Sequence, residues 1–170
     1  MGTQYSSLKI IWHSEKLKSL LEKRISAPVY ARVKPTNSCN HHCFYCSFDP
    51  EIGCHTSETF KREDKIPKEK MLEILDDFRD IGVKAVTYSG GGEPLTYPWI
   101  KEILERTLEN GIDLSAITNG QKLNRERAEI LANAKWVRIS TDASDAETFS
   151  EIRRVPQKFF YELRDNIANF

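Results

Sequence analysis

Three closely spaced cysteines are the residues of this chain best suited to chemistry. They are Cys39, Cys43 and Cys46, in the run Cys-Asn-His-His-Cys-Phe-Tyr-Cys. Three thiolates can each bind one iron of a [4Fe-4S] cluster, which leaves the fourth iron without a protein ligand. An iron with an open position can bind another molecule, whereas a cluster with four cysteine ligands usually only carries electrons. The spacing therefore predicts a cluster that does coordination chemistry.

Zinc is the alternative that the same residues leave open. A structural zinc ion prefers four protein ligands, and Cys54 or one of His41, His42 and His55 could complete such a set. Zinc ligands usually come as two separated pairs rather than as a run of three. We therefore expect iron, with Cys54 as a loop thiol. We expect the histidines to be solvated or to lie behind the ligands, without binding metal.

The elements that must position the cysteines alternate between strands and helices. Runs of β-branched or alternating apolar residues predict strands at 29–34, 83–88, 112–118 and 136–141. Apolar residues at helical spacing, with caps and glycine stops, predict helices at 6–25, 67–82, 100–111, 124–134 and 159–170. Such alternation favours an α/β fold with a parallel sheet, either open or curled into a barrel.

Polar motifs follow each of the four predicted strands. The cysteine run follows the first strand, and the turn from Ser89 to Glu93, with three glycines, follows the second. The third and fourth strands end at Thr118-Asn119 and at Ser140-Thr141-Asp142. Because the carboxyl ends of parallel strands meet at one edge, we expect these residues to surround one cavity. Ser140 and Asp142 have a second interpretation, since such residues often cap the following helix.

The cysteine run resembles the CxxxCxxC signature of the radical S-adenosylmethionine (radical SAM) superfamily, including the aromatic Tyr45 before the third cysteine. The glycine-rich turn is similar to the GGE-type motif of that family. The resemblance implies that Cys39, Cys43 and Cys46 bind three irons of a [4Fe-4S] cluster and that S-adenosylmethionine (SAM) chelates the fourth.

The same resemblance implies roles for the other candidate residues. Gly91, Gly92 and Glu93 would hold the methionine amino group of SAM, with the glycines permitting close backbone approach and Glu93 accepting from the ammonium. Tyr45 would lie against the adenine, chiefly through its backbone. Ser140 and Asp142 match the region that contacts the ribose or the methionine carboxylate, while Thr118 and Asn119 point to the same cavity from topology alone.

The implied function is that of a radical SAM enzyme, or of an N-terminal fragment of one. Such an enzyme reductively cleaves SAM to a 5′-deoxyadenosyl radical, which abstracts hydrogen from a peptide or small-metabolite substrate. RNA modification is the alternative substrate class, and an external electron donor such as flavodoxin or ferredoxin is required. A non-catalytic zinc-binding α/β module is the alternative from a different class.

The resemblance also implies a partial (β/α) barrel of which four of six units are present. We expect a helical lead-in over residues 1–28 and a radical SAM core over 29–170, truncated at its C-terminus. A missing C-terminal half or a partner chain would then complete the barrel.

Composition and net charge restrict the binding partners and the cellular location that we expect for this chain. The 170 residues include 39% apolar residues, which suffice for a core, and 25 basic residues balance 25 acidic ones. A net charge of zero provides no overall attraction to nucleic acid or anionic lipid. No signal peptide and no long apolar run is found. We therefore expect a cytoplasmic protein without membrane contact, whose cysteines are reduced or bind metal.

Overall fold

A computed structural model of the chain describes residues 9–49 and 60–170. Its strands are β1 (Tyr30–Val33), β2 (Ala85–Tyr88), β3 (Asp113–Thr118) and β4 (Trp136–Ile139). Its helices are α1 (Ser14–Leu21), α2 (Lys68–Asp80), α3 (Ile100–Glu109), α4 (Arg125–Leu131), α5 (Ala146–Arg153) and α6 (Lys158–Ala168). Short 3₁₀ turns occupy Lys9–Trp12 and Pro94–Thr96. Cys54 and His55, two ligands of the zinc alternative, lie outside the described residues.

The four strands form one parallel sheet in the order β1-β2-β3-β4. Tyr30 is in register with Ala85, Ala85 with Asp113, and Ser115 with Trp136. A helix follows each strand along the chain, so the predicted α/β fold is confirmed. The chain thus contains four β/α units with one parallel sheet.

One face of the sheet carries the core. Val86 and Tyr88 of β2 and Leu114 and Ala116 of β3 are buried on this face, as the two-residue repeat of a strand requires. Helices α2, α3 and α4 cover it with the apolar side chains that their spacing predicts, namely Met71, Leu75, Ile100, Ile103, Leu104 and Leu131. The alternate residues of each strand therefore point to the opposite face, where Thr87 and Ser115 are also buried.

Helix α5 is the element that the sequence analysis did not predict. Its N-terminal cap is Asp145, whose carboxylate accepts from the Thr148 amide at 2.9 Å. The interpretation of Ser140 and Asp142 as caps of the following helix is therefore wrong. Helix α5 packs against α6 and forms a second apolar cluster around Phe149, Val155 and Leu163 at the β4 side of the sheet. That cluster fixes α5 beside the cysteine loop.

The amino-terminal helix is shorter than predicted and stands apart from the core. A 3₁₀ turn precedes it, the helix proper begins at Ser14, and none of its residues is buried. Its strongest contacts are with that 3₁₀ turn. Among the described residues, no helix has the length and apolar character needed to cross a bilayer.

Gly120 allows β3 to end tightly against α6. Its φ is +76°, and a Cβ placed there would lie 2.5 Å from a Leu163 methyl carbon and 2.9 Å from one of Ile139. Gly111 has a similar φ of +67° but no atom within 4 Å of an added Cβ.

We expect Gly111→Ala to cost about 1 kcal/mol of unfolding free energy, from the left-handed backbone alone. Gly120→Ala should cost a further 1–3 kcal/mol or so from overpacking. Urea unfolding followed by circular dichroism measures both losses, and equal losses would contradict the close packing at Gly120.

Candidate functional site

A cleft of about 210 Å³ lies at the carboxyl ends of the four strands. Most of the predicted site residues line it, namely Cys39, Cys43, Tyr45, Cys46, Gly91, Gly92, Glu93, Thr118, Asn119 and Ser140. Asp142 is not among the lining residues, but its carboxylate contacts Tyr45 and Arg153, which are. Residues from four separate loops are thus brought to one place.

The cysteine loop is held by hydrogen bonds to its own backbone and to α5. The Cys46 amide donates to the Cys43 carbonyl at 3.0 Å. The amides of His42 and Phe44 donate to the carbonyls of Arg153 and Ile152, at 3.0 and 3.1 Å. Carbonyls at the end of α5, which would otherwise lack a helical partner, thereby orient the loop between the cysteines.

Burial shapes the chemistry of the thiols. It raises the pKa of Cys39 to about 11, so this thiol stays protonated at neutral pH unless a cation binds. Metal binding would release that proton, because the thiolate is the ligand. Within the described residues, no three His, Cys, Asp or Glu side chains converge closely enough to hold a single metal ion. Three thiols that each bind a different iron of a cluster need no such convergence.

The glycine-rich turn lies directly against the start of the cysteine loop. The Gly92 amide donates to the Thr36 carbonyl at 3.1 Å, and the Glu93 amide donates to the Ser38 carbonyl at 2.9 Å. A Cβ on Gly91 would lie 2.7 Å from the Asn37 side-chain oxygen, and one on Gly92 would meet the backbone of Asn37 and Ser38. Glycine is therefore required for the two backbones to approach, which keeps this wall of the cleft open and lined by peptide groups.

Glu93 is buried, and three protein groups donate to its carboxylate. Its Oε1 accepts from the Leu95 amide at 3.0 Å and from the Thr118 hydroxyl at 2.6 Å, while its Oε2 accepts from the Asn119 amide at 2.7 Å. Burial raises the pKa of Glu93, and these hydrogen bonds oppose the shift. Glu93 thus ties the turn after β2 to the end of β3, in addition to facing the cleft. An Oε2 that accepts one hydrogen bond keeps capacity for another donor.

The amide of Asn119 extends this connection to the cysteine loop. Its Nδ2 donates to the Asn40 Oδ1 at 2.9 Å, and its own Oδ1 accepts from the Gln121 amide at 3.0 Å. Asn40 is the residue after the first cysteine of the run. The predicted pair Thr118 and Asn119 therefore serves to align Glu93 and the loop.

Tyr45, Asp142 and Arg153 form a polar network on the opposite wall. The Tyr45 hydroxyl donates to the Asp142 carboxylate, and the same carboxylate pairs with the Arg153 guanidinium at 2.5 Å. Burial and the hydrogen bond to Asp142 raise the pKa of Tyr45 well above its usual value, so the phenol is neutral. The network joins the cysteine loop to the loop that follows β4.

Arg153 is a charged residue of this cleft that the sequence analysis missed. It is 4% exposed, its Nη1 lies 3.6 Å from the Cys43 sulfur, and its Nη2 donates to the Ser140 carbonyl at 2.7 Å. Its Nε is buried and has no hydrogen-bond partner among the described residues. The sequence could have revealed this helix, because Asp145 can cap a segment that starts there. Arg153 follows the apolar Phe149 by one helical turn and so lies on the same face of that helix.

The two histidines between the cysteines differ in environment. His42 is half exposed, and its ring contacts the Arg62 guanidinium at 3.0 Å. His41 is buried against Phe149 and Phe159, so of the two expected environments it lies behind the ligands and not in solvent. Burial and then the Arg153 charge lower the pKa of His41 to about 4. The Gln121 side chain opposes this shift, although it makes no hydrogen bond of good geometry to the ring. A neutral imidazole therefore packs behind the loop.

A model of the radical SAM superfamily matches residues 33–170, which include every residue of the cleft. The chain belongs to the radical SAM superfamily. The matched range begins within β1 and contains the cysteine loop, the glycine-rich turn and all later elements.

Curated relatives of this radical SAM chain carry several activities in their names. It is 25% identical over 140 residues to an S-adenosylmethionine-dependent nucleotide dehydratase of Lacinutrix mariniflava, covering 78% of the chain and 29% of that protein. It is 28% identical over 128 residues to a PqqA peptide cyclase of Streptomyces rochei, covering 75% and 33%. It is 30% identical over 129 residues to a GTP 3′,8-cyclase of Thermodesulfovibrio yellowstonii, covering 74% and 38%. The chain thus spans about a third of the length of these relatives.

Solved structures share the fold. SuiB of Streptococcus suis bound to S-adenosylmethionine superimposes with a TM-score of 0.65 at 24% identity, over 94% of this chain and 36% of that one. The native anSMEcpe with bound AdoMet gives a TM-score of 0.62 at 21% identity, over 84% and 41%.

The contacts of Glu93 predict that this residue stabilises the fold even without a cofactor. Glu93→Ala would leave three buried donors unsatisfied, at about 1–3 kcal/mol for each. We therefore expect the metal-free variant to lose at least about 3 kcal/mol of unfolding free energy in urea. The control is Glu151→Ala, which removes an exposed carboxylate and should change stability by less than about 0.5 kcal/mol. Equal stability of the two variants would show that the Glu93 network contributes nothing to the fold.

Proposed function

We propose that this chain is the cluster- and SAM-binding part of a radical SAM enzyme. Residues 29–170 form its core, and residues 1–28 form a helical lead-in. Cys39, Cys43 and Cys46 bind three irons of a [4Fe-4S] cluster, and SAM completes the coordination of the fourth. The observation that carries the proposal is the convergence of the three thiols, the glycine-rich turn and the ends of β3 and β4 on one cleft.

The residues of the cleft fit this pair of cofactors. Three thiols supply the donor set of a cluster with one open iron. The glycine-rich turn presents backbone at a wall where any side chain at Gly92 would collide with the backbone of Asn37 and Ser38 and push the two loops apart. When bound, the cluster and SAM supply the reductive cleavage that yields a 5′-deoxyadenosyl radical for hydrogen abstraction. The protein positions both groups and excludes water from them.

Charges of both signs in the cleft suit the methionine end of SAM, which carries an ammonium and a carboxylate. Glu93 presents a buried carboxylate with Oε2 still able to accept, which suits the ammonium. Arg153 presents a buried guanidinium, which suits the carboxylate. Ser140 and Asp142 hold Arg153 in place, so we assign them a positioning role beside SAM. Tyr45 contacts this group through the hydrogen bond of its hydroxyl to Asp142, and its backbone remains available to contact the adenine.

The substrate of the enzyme is a peptide or a small metabolite. Relatives named as a PqqA peptide cyclase and as a GTP 3′,8-cyclase support both classes. The electron comes from an external donor such as flavodoxin or ferredoxin. Phe44 and Tyr45, both about half exposed, lie between two of the cysteines and give such a donor a short path to the cluster.

Anaerobic reconstitution with iron and sulfide tests the cluster. We expect a brown protein with about four irons per chain, whose reduced form gives an electron paramagnetic resonance signal that SAM alters. Alanine at Cys39, Cys43 or Cys46 should reduce the bound iron to a small fraction, because each thiol binds a different iron.

Cys54→Ser is the matched control for these variants and should load as much iron as the natural chain. Loss of iron in this variant would make Cys54 a fourth ligand and would close the open position. A colourless protein that binds one zinc ion in place of iron would overturn the proposal in favour of a zinc-binding module.

Arg153→Gln tests the assignment of the SAM carboxylate. Removing one charge-assisted interaction should weaken SAM binding about 10- to 100-fold. Iron content should change little, because the guanidinium is not an iron ligand. Arg154→Gln, which removes the exposed neighbouring arginine, should leave SAM affinity within about twofold. Equal affinities of the two variants, measured by the change in the resonance signal on SAM titration, would remove Arg153 from the SAM site.

A further inference from the structure

The guanidinium of Arg153 lies against the sulfur of Cys43. Its Nη1 is 3.6 Å from that sulfur, and the two residues are 4% and 9% exposed. Of the described residues that line the cleft, Arg153 is the one arginine or lysine. Because both groups are buried, the positive charge acts on the sulfur through protein of low dielectric constant rather than through water.

Two sets of contacts fix this charge beside the cysteine loop. The side chain is held by its Nη2, which donates to the Ser140 carbonyl at 2.7 Å and pairs with the Asp142 carboxylate at 2.5 Å. The backbone carbonyl of Arg153 accepts from the amide of His42, the residue before Cys43, at 3.0 Å. The same residue thus anchors the loop and carries the charge, which keeps the guanidinium close to the sulfur.

The carboxylate of Asp142 compensates this charge only in part. It contacts Nη2, whereas Nη1 is the nitrogen that contacts the Cys43 sulfur. The same carboxylate also accepts from the Tyr45 hydroxyl, and 35% of the Asp142 side chain is exposed. Water screens a carboxylate at such a position more than it screens a buried guanidinium. Positive charge therefore remains on the side of Arg153 that faces the cysteine.

Charges and hydrogen bonds beside the ligand sulfurs are among the factors that set the reduction potential of an iron-sulfur cluster. Reduction transfers one electron from the external donor, which is oxidised, to the cluster, and it breaks or forms no bond and moves no proton. A fixed positive charge beside a ligand sulfur stabilises the more negative, reduced state more than the oxidised state. The guanidinium at Cys43 therefore favours entry of the electron.

We propose that Arg153 raises the reduction potential of the cluster held by Cys39, Cys43 and Cys46, and that Asp142 limits this rise. The inference rests on the proposed function, because it concerns the same cluster. It gives Arg153 a role that does not require SAM, since the contact with the Cys43 sulfur is made within the protein. The balance of the two charges then decides how strong a reductant the external donor must be.

A redox titration of the reconstituted chain without SAM tests the role of Arg153. Dithionite and redox mediators set the potential, and the electron paramagnetic resonance signal measures the reduced fraction. At the midpoint potential of the natural chain, Arg153→Gln should lower the ratio of reduced to oxidised cluster at least about tenfold, which corresponds to about 59 mV for one electron. Arg153→Lys retains the charge and should keep this ratio within about threefold of the natural chain.

Asp142→Asn should change the potential in the opposite direction. It removes the compensating charge and leaves the guanidinium in place, so the ratio of reduced to oxidised cluster should rise at least about threefold. Asp142 has a φ of +60°, a conformation that asparagine tolerates well, so this variant should fold. A general disturbance of the loop would shift the potentials of Arg153→Gln and Asp142→Asn in the same direction, whereas a charge effect shifts them in opposite directions.

Arg154→Gln is the matched control, because it removes the same charge from the exposed neighbouring residue. Water and salt screen that position, so the ratio should stay within about twofold of the natural chain. An unchanged potential in Arg153→Gln would overturn the inference. An equal shift in Arg153→Gln and Arg154→Gln would overturn it as well, since it would show only the effect of net charge.

Iron content separates this inference from the proposed function. A natural chain that loads iron, together with variants whose potentials all agree, would refute the role of Arg153 and leave the proposed function standing. A natural chain that loads no iron would refute the proposed function, and the inference with it. If Arg153→Gln alone fails to load iron, Asp142→Asn decides, because a lower or unchanged potential in that variant would contradict the inference.

Discussion

The buried carboxylate of Glu93 is the constraint on which the site depends. It draws together the turn after β2 and the end of β3 through three donated hydrogen bonds. Asn119, one of those donors, also holds Asn40 of the cysteine loop. A charge that is almost completely removed from water is stable only when donors surround it. The energetic need to satisfy Glu93 therefore fixes the distance between elements that are far apart in sequence.

The close approach of two loops is the second constraint, and it comes from small residues rather than charge. Gly91 and Gly92 lie so close to residues 36–38 that side chains there would separate the turn from the cysteine loop. Backbone amides then bond across the contact, at 3.1 Å to Thr36 and 2.9 Å to Ser38. The sheet supplies the remaining order, because parallel pairing places the loops after β1, β2 and β3 side by side.

Much of this arrangement could be predicted from local sequence patterns. Runs of β-branched or alternating apolar residues located the four strands, and glycines at positions 82 and 111 marked the ends of α2 and α3. The cysteine run, the glycine-rich turn and Thr118 were placed at one cavity because parallel strands end at a common edge. These are short-range signals, or topological consequences of them.

The rest depended on contacts over long sequence distances. The role of Glu93 as a link between loops arises from bonds to residues 25 and 26 positions away, which no local pattern encodes. Helix α5 has only eight residues and one strong apolar anchor, Phe149, so its periodicity was too short to stand out. Missing that helix meant missing Arg153, although a buried arginine is rare enough to mark a site.

Opposite charges buried in one cleft suit the zwitterionic ligand that we propose for this edge of the sheet. Glu93 and Arg153 are both about 4% exposed, and the Arg153 charge acts to lower the pKa of Glu93. They make no direct salt bridge, because each is held by other partners. Glu93 accepts from Thr118 at the end of β3, and Arg153 is held by Ser140 and Asp142 after β4. The Glu93 carboxylate and the Arg153 guanidinium therefore stay apart, with a strong electric field in the space between them. A molecule with an ammonium at one end and a carboxylate at the other complements that space, since it compensates both desolvated groups at once.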